Sequence, residues 1–415
     1  MTTTGQGTPV PPGARTGGRA RPSSRAAAAL LAAGLALLPA APARADGIRA
    51  QEWALDALHA RDAWRTTRGE GITVAVLDTG VDARHPDLSG QVLPGKDLIG
   101  FGAERGDPAW ARHGTAMAGI IAGHGHGPDG GDGILGVAPK ARILPVRVIL
   151  EDTDPDREKA GAARGGALAK GIRWAVDHGA DVINLSLGDD SESAHPEAAE
   201  DAAVQYALRK GVVVVASAGN SGRKGDRISY PAAYPGVIAV AAVDRYGNRA
   251  AFSTRRWYAT VCAPGVDVAI AAPNRRYYMG WGTSAAAAFV SGSVALVRSA
   301  HPRLSPRQIT RLLVDTARQR PAGGRSDELG AGLVDPAAAI AAGDRLRPQP
   351  QQPRAAGYPR RYFGEGPARN PLVAQGGGGP HRLALIAAVA GVGLLAAATA
   401  IWRGAGSLRL LRRRG

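Results

Sequence analysis

Ile72-Thr73-Val74-Ala75-Val76-Leu77-Asp78-Thr79-Gly80 opens the folded part of the chain. A run of β-branched and apolar residues bounded by glycine is the pattern of a strand buried on both faces, as in a parallel sheet covered by helices. The run ends in a carboxylate. Open parallel sheets gather their ligands at the carboxyl ends of strands, so Asp78 is a candidate for chemistry as well as for an ordinary turn.

Downstream the pattern alternates. Ala141 to Val148 reads as a strand, Ala160 to Asp177 as a helix, Asp181 to Leu185 as a strand, Pro196 to Lys210 as a helix and Val212 to Ala216 as a strand. Strand and helix in turn predict an α/β domain, a mostly parallel central sheet with helices on both faces. Val237 to Val243 and Val266 to Ala271 add strands. Ser305 caps a helix to Thr316 with Pro306 at its first position, and Val334-Asp335-Pro336-Ala337 starts the last short one. Ahead of the first strand, Gln51 to Arg65 is an amphipathic arm carrying Trp53, Leu55 and Leu58. It is too short to be a separately folded inhibitory segment.

Three further stretches carry chemistry. Gly282-Thr283-Ser284-Ala285-Ala286-Ala287-Ala288 is a small-residue turn feeding an alanine-rich helix. It seats Ser284 where free N–H groups and the helix dipole favour a developing negative charge, a good place for a nucleophile and also for a simple cap. His113-Gly114-Thr115 opens another helical run through Met117, Ile120 and Ile121. Val215-Ala216-Ser217-Ala218-Gly219-Asn220 is a buried strand entering a glycine turn that brings an amide to the sheet edge. Hydrolysing an amide by nucleophilic attack needs a hydroxyl, an imidazole base, a carboxylate to hold the imidazole and donors for the oxyanion. Ser284, His113, Asp78 and Asn220 can fill those roles.

In the order Asp, His, Ser the sequence resembles the subtilisin-like serine proteases. The matches are Val76-Leu77-Asp78-Thr79-Gly80-Val81-Asp82, His113-Gly114-Thr115-Ala116-Met117-Ala118-Gly119 and Gly282-Thr283-Ser284. They are joined by His85-Pro86-Asp87-Leu88, Gly136-Val137-Ala138-Pro139, Val182 to Gly188 and Ala263-Pro264-Gly265, so the resemblance covers Gly71 to Ile340. It implies a subtilisin-like three-layer α/β fold in which Ser284 attacks, His113 is base then acid, Asp78 orients His113, and Asn220 with the Ser284 N–H holds the oxyanion. It also implies that Ser186, Leu187 and Gly188, with Ala216, Ser217, Ala218 and Gly219, form the edges that pair with a polypeptide substrate. No cofactor is implied for the reaction. Two positions depart from the family pattern, Ala285 and Ala288, where a large apolar residue and a proline are usual. Ala285 leaves space behind the nucleophile and Ala288 removes a helix kink, so a slightly displaced Ser284 is expected.

The two ends differ in composition from the middle. Of the 51 Lys and Arg, 17 lie outside Asp46 to Gly343, against only two of the 35 acids, leaving 34 basic and 33 acidic residues in the middle. The overall +16 charge therefore belongs to the termini and gives no nucleic-acid footprint on the folded part. Arg15, Arg19, Arg21 and Arg25, an Ala/Leu run from Ala26 to about Ala40 and Ala43-Arg44-Ala45 have the order of a secretory signal cleaved before Asp46, or of an uncleaved anchor. Leu383 to Trp402 is twenty residues without a charge, enough to cross about 30 Å of hydrocarbon. Arg403, Arg409, Arg412, Arg413 and Arg414 follow it, which places the tail in the cytoplasm and the middle domain outside.

The expected organisation is a signal peptide at 1–45, an arm at 46–70, a peptidase domain at 71–343, a Pro/Gly/Arg-rich linker at 344–381, a transmembrane helix at 382–402 and a basic tail at 403–415. With the short arm, the linker and the single C-terminal helix, the chain looks like the mycosins, membrane-anchored proteases associated with type VII secretion. The expected partners are thus a polypeptide substrate, the cytoplasmic membrane and a type VII secretion membrane complex. A weakly active or inactive structural subunit of such a complex is the alternative reading. The single cysteine, Cys262, excludes an intramolecular disulfide and reads as a small buried hydrophobe. Gly123-His124-Gly125-His126-Gly127 reads as a loop rather than a metal site. The acidic stretches Glu151 to Glu158 and Asp189 to Glu192 read as solvated loops, with structural calcium as the alternative.

Overall fold

The computed structural model describes residues 47–107, 109–162 and 164–349. The expected signal peptide, most of the linker, the transmembrane helix and the basic tail lie outside the described residues. Among those described, no helix is long and apolar enough to cross a membrane.

Eleven strands are described: β1 (Thr73–Asp78), β2 (Lys96–Asp97), β3 (His124–His126), β4 (Asp132–Leu135), β5 (Arg142–Arg147), β6 (Val182–Leu185), β7 (Val213–Ser217), β8 (Ile238–Val243), β9 (Ala259–Pro264), β10 (Val268–Ala272) and β11 (Arg276–Gly280). Seven form one sheet in the order β2-β5-β1-β6-β7-β8-β9, every pair parallel. The chain runs outward from β1 to β5 on one side and to β6 on the other. Asp78, the last residue of β1, thus sits where the strand order reverses, the place an open α/β sheet offers a ligand.

Alternation along the strands divides the core in two. Val74, Val76, Val182, Val213 and Val215 face one cluster with the Arg112–Ala122 and Thr283–Ala300 helices. Ala75, Leu77, Ile183, Leu185, Val214 and Ala216 face the other, with the Arg164–Asp177 and Ala198–Arg209 helices. Both faces of the sheet are covered. Continuous burial along β1, β6, β7 and β8 follows from this, and it is the reason those strands read as unbroken apolar runs. Cys262 lies in β9, buried and unbridged, and burial pushes its thiol up to about 12.

Several local readings need correction. The Gly123–Gly127 stretch is not loop: His124–His126 is β3, paired antiparallel with β4. His124 Nε2 meets the Ser89 carbonyl at 3.0 Å and His126 Nδ1 meets Asp87 at 2.6 Å, so both rings have structural partners. Val266 to Ala271 contributes β10, which pairs with β11 in a separate hairpin, while the Thr260–Ala263 run supplies the β9 edge of the main sheet. The helix expected from Ala160 starts earlier, at Arg157, and its described parts are Arg157–Ala162 and Arg164–Asp177.

The arm packs on the domain as expected, but in short pieces, Trp53–Ala57 and Ala60–Ala63. They break at His59, whose backbone is left-handed (φ 55°) and whose ring bonds Asp335 at 2.8 Å. Leu55 and Leu58 are buried, and Trp53 Nε1 donates to the Asp267 carbonyl at 2.9 Å. At the head of the arm Arg49 donates to three carbonyls of one turn, Gly130 (2.5 Å), Gly133 (2.6 Å) and Asp132 (3.1 Å).

Candidate active site

Asp78 is fully buried, and Thr79 N–H donates to its Oδ1 at 2.8 Å. The Arg112–Ala122 helix starts beside it, because a Cβ on Gly114 would lie 2.0 Å from the Gly80 carbonyl oxygen; only glycine permits that approach. His113 is thereby set with Nδ1 at 2.8 and 2.9 Å from the two Asp78 oxygens. An ionised carboxylate only accepts, so Nδ1 carries the proton and Nε2 is the nitrogen left to act as a base. Two N–H groups of the helix's first turn also find acceptors, His113 N–H on Glu151 Oε1 (2.7 Å) and Gly114 N–H on Thr79 Oγ1 (3.1 Å).

Burial pulls the His113 imidazole down, but the charge and hydrogen bond of Asp78, with Glu151 and Asp152 behind them, outweigh it and push it up to about 9. Those two acids went unrecognised as part of the site, since an acidic run between elements looks like any solvated loop. The same stretch is tied down by further contacts: Asp154 accepts from Ala103 and Asp156 N–H groups at 2.7 and 2.9 Å, and Asp152 itself pairs with Arg157 at 2.6 Å.

Ser284 is the second residue of the Thr283–Ala300 helix, half-buried at its N-terminus. Gly282 before it has φ 139°, a region that favours glycine, and a Cβ there would stand 3.6 Å from the Ser284 nitrogen and 4.0 Å from Asn220 Nδ2. Thr283 fixes the amide of Asn220. Its N–H can only donate, and it reaches Asn220 Oδ1 at 3.0 Å, joined by the Thr283 hydroxyl at 2.9 Å. Oδ1 is thus committed, and Nδ2 is the free donor on the Ser284 side.

One cavity of about 1010 Å³ gathers His113, Ser284 and Asn220. Asp78 lies behind its wall, bonded to His113. The Ser284 hydroxyl donates to the Ser186 carbonyl at 3.1 Å, and no hydrogen bond joins it to His113 among the described residues. In return the Ser186 hydroxyl donates to the Ser284 carbonyl at 2.8 Å. Behind Ser186 stands Asn184, fully buried, donating to Ser186 Oγ (3.0 Å) and accepting from Ser291 Oγ (2.9 Å). A polar residue inside Val182-Ile183-Asn184-Leu185 was the available signal for this support, because a buried amide needs partners. The helix runs unbroken through Ala288, whose buried side chain bends nothing.

Of the expected substrate edges, Ser186, Leu187, Gly188, Ser217 and Gly219 line the cavity. Ala216 and Ala218 do not; their side chains belong to the core on the far face of the sheet. Alternation along an extended chain requires that split. Trp281, two-thirds exposed and tilted at 50° against the Phe252 ring, adds an apolar lip that sequence reading did not assign.

Residues 69–332 match the subtilase family (Peptidase_S8). The chain is 38% identical to Subtilisin DY of Bacillus licheniformis over 274 residues, 66% of this chain and 92% of that protein. Among solved structures it is similar to fervidolysin of Fervidobacterium pennivorans, with TM-score 0.62 and 35% identity over 74% of this chain, but it spans only 48% of that one. It is likewise similar to the MycP3 protease from the type VII (ESX-3) secretion system, with TM-score 0.58 and 35% identity over 70% of this chain and 88% of that one.

Proposed function

From the premise that this chain belongs to the subtilase family and is a serine-type endopeptidase, we propose that Asp78, His113 and Ser284 form its catalytic triad, on a domain held outside the cytoplasmic membrane. The observation that carries the triad is the Asp78–His113 pair at 2.8 Å, opening on a cavity that also holds Ser284 and the fixed amide of Asn220.

Ser284 Oγ attacks the substrate carbonyl carbon while His113 Nε2 takes its proton and Asp78 holds Nδ1–H. Asn220 Nδ2 and the Ser284 N–H receive the oxyanion. His113 then returns the proton to the leaving amine, and water releases the acyl group by the same steps in reverse. In the resting arrangement the hydroxyl is turned to Ser186. A substrate N–H docking on the Ser186 carbonyl competes for that acceptor and frees the hydroxyl to rotate towards His113. No cofactor enters these steps.

Membrane anchoring by Leu383 to Trp402 and a link to type VII secretion complete the proposal, supported by the charge pattern of the C-terminal sequence and by the likeness to MycP3. The second reading, a structural subunit with little proteolysis, draws on the hydroxyl's bond to Ser186 and on Ala288 in place of the family's proline. Reaction of the full chain with a fluorophosphonate separates the two. Labelling that disappears in Ser284→Ala supports the protease, and no labelling of folded protein favours the subunit. Recovery of the chain in the membrane fraction, lost on deletion of residues 382–415, tests the anchor.

A further inference from the structure

Among the described residues five large apolar side chains stand exposed, and three of them, Tyr278, Met279 and Trp281, fall at the end of β11 and its exit toward Ser284. Tyr278 and Met279 alternate to opposite faces of the strand, so both faces of the β10–β11 ribbon present apolar surface. β11 pairs only with β10 among the described strands, which leaves its outer edge without a ladder partner. The ribbon is braced from beneath. Tyr277 donates to Asp87 at 2.9 Å, and a Cβ on Gly119 of the Arg112–Ala122 helix would stand 3.0 Å from Ala271 Cβ.

Cations frame these side chains. Arg275 and Arg276 are exposed at the tip of the ribbon, and neither has an ion pair among the described residues. The Arg112 guanidinium lies 5.9 Å from the centroid of the Tyr278 ring. The tip also touches the loop of Arg84, since Asn274 N–H donates to Asp82 at 3.4 Å and exposed Arg84 stands 4.0 Å from the same carboxylate. The backbone is left-handed at both Asn274 (φ 64°) and Arg275 (φ 59°). Glycine is the usual residue at the second of two such turn positions, so Arg275 keeps a charge there against backbone strain. Away from the ribbon the cavity lining is net acidic, with Glu151, Glu158, Asp189 and Asp190 in it.

Exposed aromatic rings set among unpaired arginines suit a membrane–water interface, where Trp and Tyr sit at headgroup level and Arg meets phosphate. The open strand edge fixes the depth, because unpaired backbone groups stay out of hydrocarbon and in reach of water and phosphate oxygens. About thirty residues separate Gln349 from the apolar stretch Leu383 to Trp402, a reach of up to about 100 Å. Any face of the domain can therefore meet the bilayer, and surface chemistry decides which one does. We infer that the tip and outer edge of the β10–β11 ribbon dock on anionic lipid headgroups and hold the catalytic cavity at the membrane surface. Trp281 lines that cavity, so docking sets its mouth beside the bilayer while the acidic lining is repelled. The polypeptides within reach are those cleaved close to where they leave the membrane. The inference rests on the anchor reading, which supplies the proximity.

The test uses the full chain carrying Met279→Cys, labelled with an environment-sensitive NBD group, in phosphatidylcholine vesicles with or without phosphatidylglycerol. Cys262 is buried with its thiol pushed up to about 12, so the label goes to position 279. NBD emission is expected to rise in the anionic vesicles alone and to fall back in high salt. A label at Arg209→Cys, exposed on the helix covering the far face of the sheet, stays unchanged. Arg275→Gly/Arg276→Gln removes two cations and is expected to lower the docked-to-free ratio about thirtyfold. Its thermal stability is no lower than the parent's, because glycine relieves the turn. Equal emission in both lipids, a rise at 209 as large as at 279, or a rise that survives in the arginine variant overturns the inference. So does emission that responds to a peptide substrate in detergent and not to lipid. Flotation reads the anchor separately. A chain that floats with both vesicles and shows no anionic rise loses the docking alone. One that floats, with the rise, on anionic vesicles only docks without an anchor, and one that floats with neither loses both.

Discussion

Glu151→Gln is the sharpest probe of the His113 environment. The carboxylate accepts from the His113 backbone N–H at 2.7 Å and is one of the charges that raise the imidazole to about 9. Glutamine keeps an oxygen for that N–H, so the start of the helix stays in place and only the charge is lost. Taking a separation of roughly 6 Å between charge and ring, an effective dielectric constant of roughly 40–80 gives about 0.7–1.4 kcal/mol, or about 0.5–1 pH unit. The sign follows from the chemistry: removing a negative neighbour makes the protonated ring less favourable and lowers its pKa. A general base must be neutral to work, so the acid limb of the kcat/KM profile moves down by that amount. Below that limb, at neutral pH, activity rises about three- to tenfold. The assay is kcat/KM for a fluorogenic peptide from pH 5 to 10 at low and high salt. The shift shrinks at high salt because the group is part-exposed. An unmoved limb, or one that moves up, would refute this account of what sets the His113 pKa.

Asn220→Ala removes the amide donor and is expected to cut kcat about 10² to 10³-fold with KM little changed, a magnitude known from subtilisin itself; steady-state kinetics on the folded variant checks it. Asn184→Ala leaves the Ser291 hydroxyl without its acceptor and Ser186 without its support, for a loss of about 1–3 kcal/mol in denaturant melts. Any drift of Ser284 that follows lowers kcat as well, since a displacement of about 1 Å is worth roughly 100-fold. Glu52 supplies a pH test of stability. Burial pushes its carboxyl up from 4.5 to about 7 against the pull of the Leu135 N–H and Arg49. Between those values the native state holds a proton that the unfolded chain releases, so stability falls as pH rises from 4.5 to 7. Glu52→Gln removes that slope, of order 2–4 kcal/mol in total; melts at pH 4.5 and 7 that show the same slope in both proteins would contradict it.

The sheet was legible because its strands are buried on both faces and therefore contiguous in sequence. β1, β6, β7 and β8 lie within a residue or so of their expected bounds. β3 and β11 were not legible, since His124-Gly125-His126 and Arg276 to Gly280 are half-exposed strands held by pairing across short hairpins, with no apolar run to announce them. Asp78, His113, Asn220 and Ser284 could be named because each sits on a motif fixed by local backbone needs, glycine at 114, 219 and 282 among them. Their mutual geometry could not. Nothing local to Ser186 or Ser284 tells that the two exchange hydroxyl-to-carbonyl bonds, because the residues are 98 apart in sequence and meet only through the sheet.

Three carbonyls converge on Arg49, an all-oxygen donor set of the kind that also suits a dissolved cation; here the positive charge is spelled into the polypeptide. Mass action then has no hold on it. A turn held by a free ion loosens as that ion is diluted or sequestered, following its dissociation constant. The turn at Gly130 to Gly133 has a ligand whose stoichiometry is fixed at one by translation, and whose local concentration is set by the few residues between Arg49 and the buried Leu55. The occupancy of this turn is therefore indifferent to the mineral content of whatever surrounds the domain, and it is lost only when the arm itself peels away.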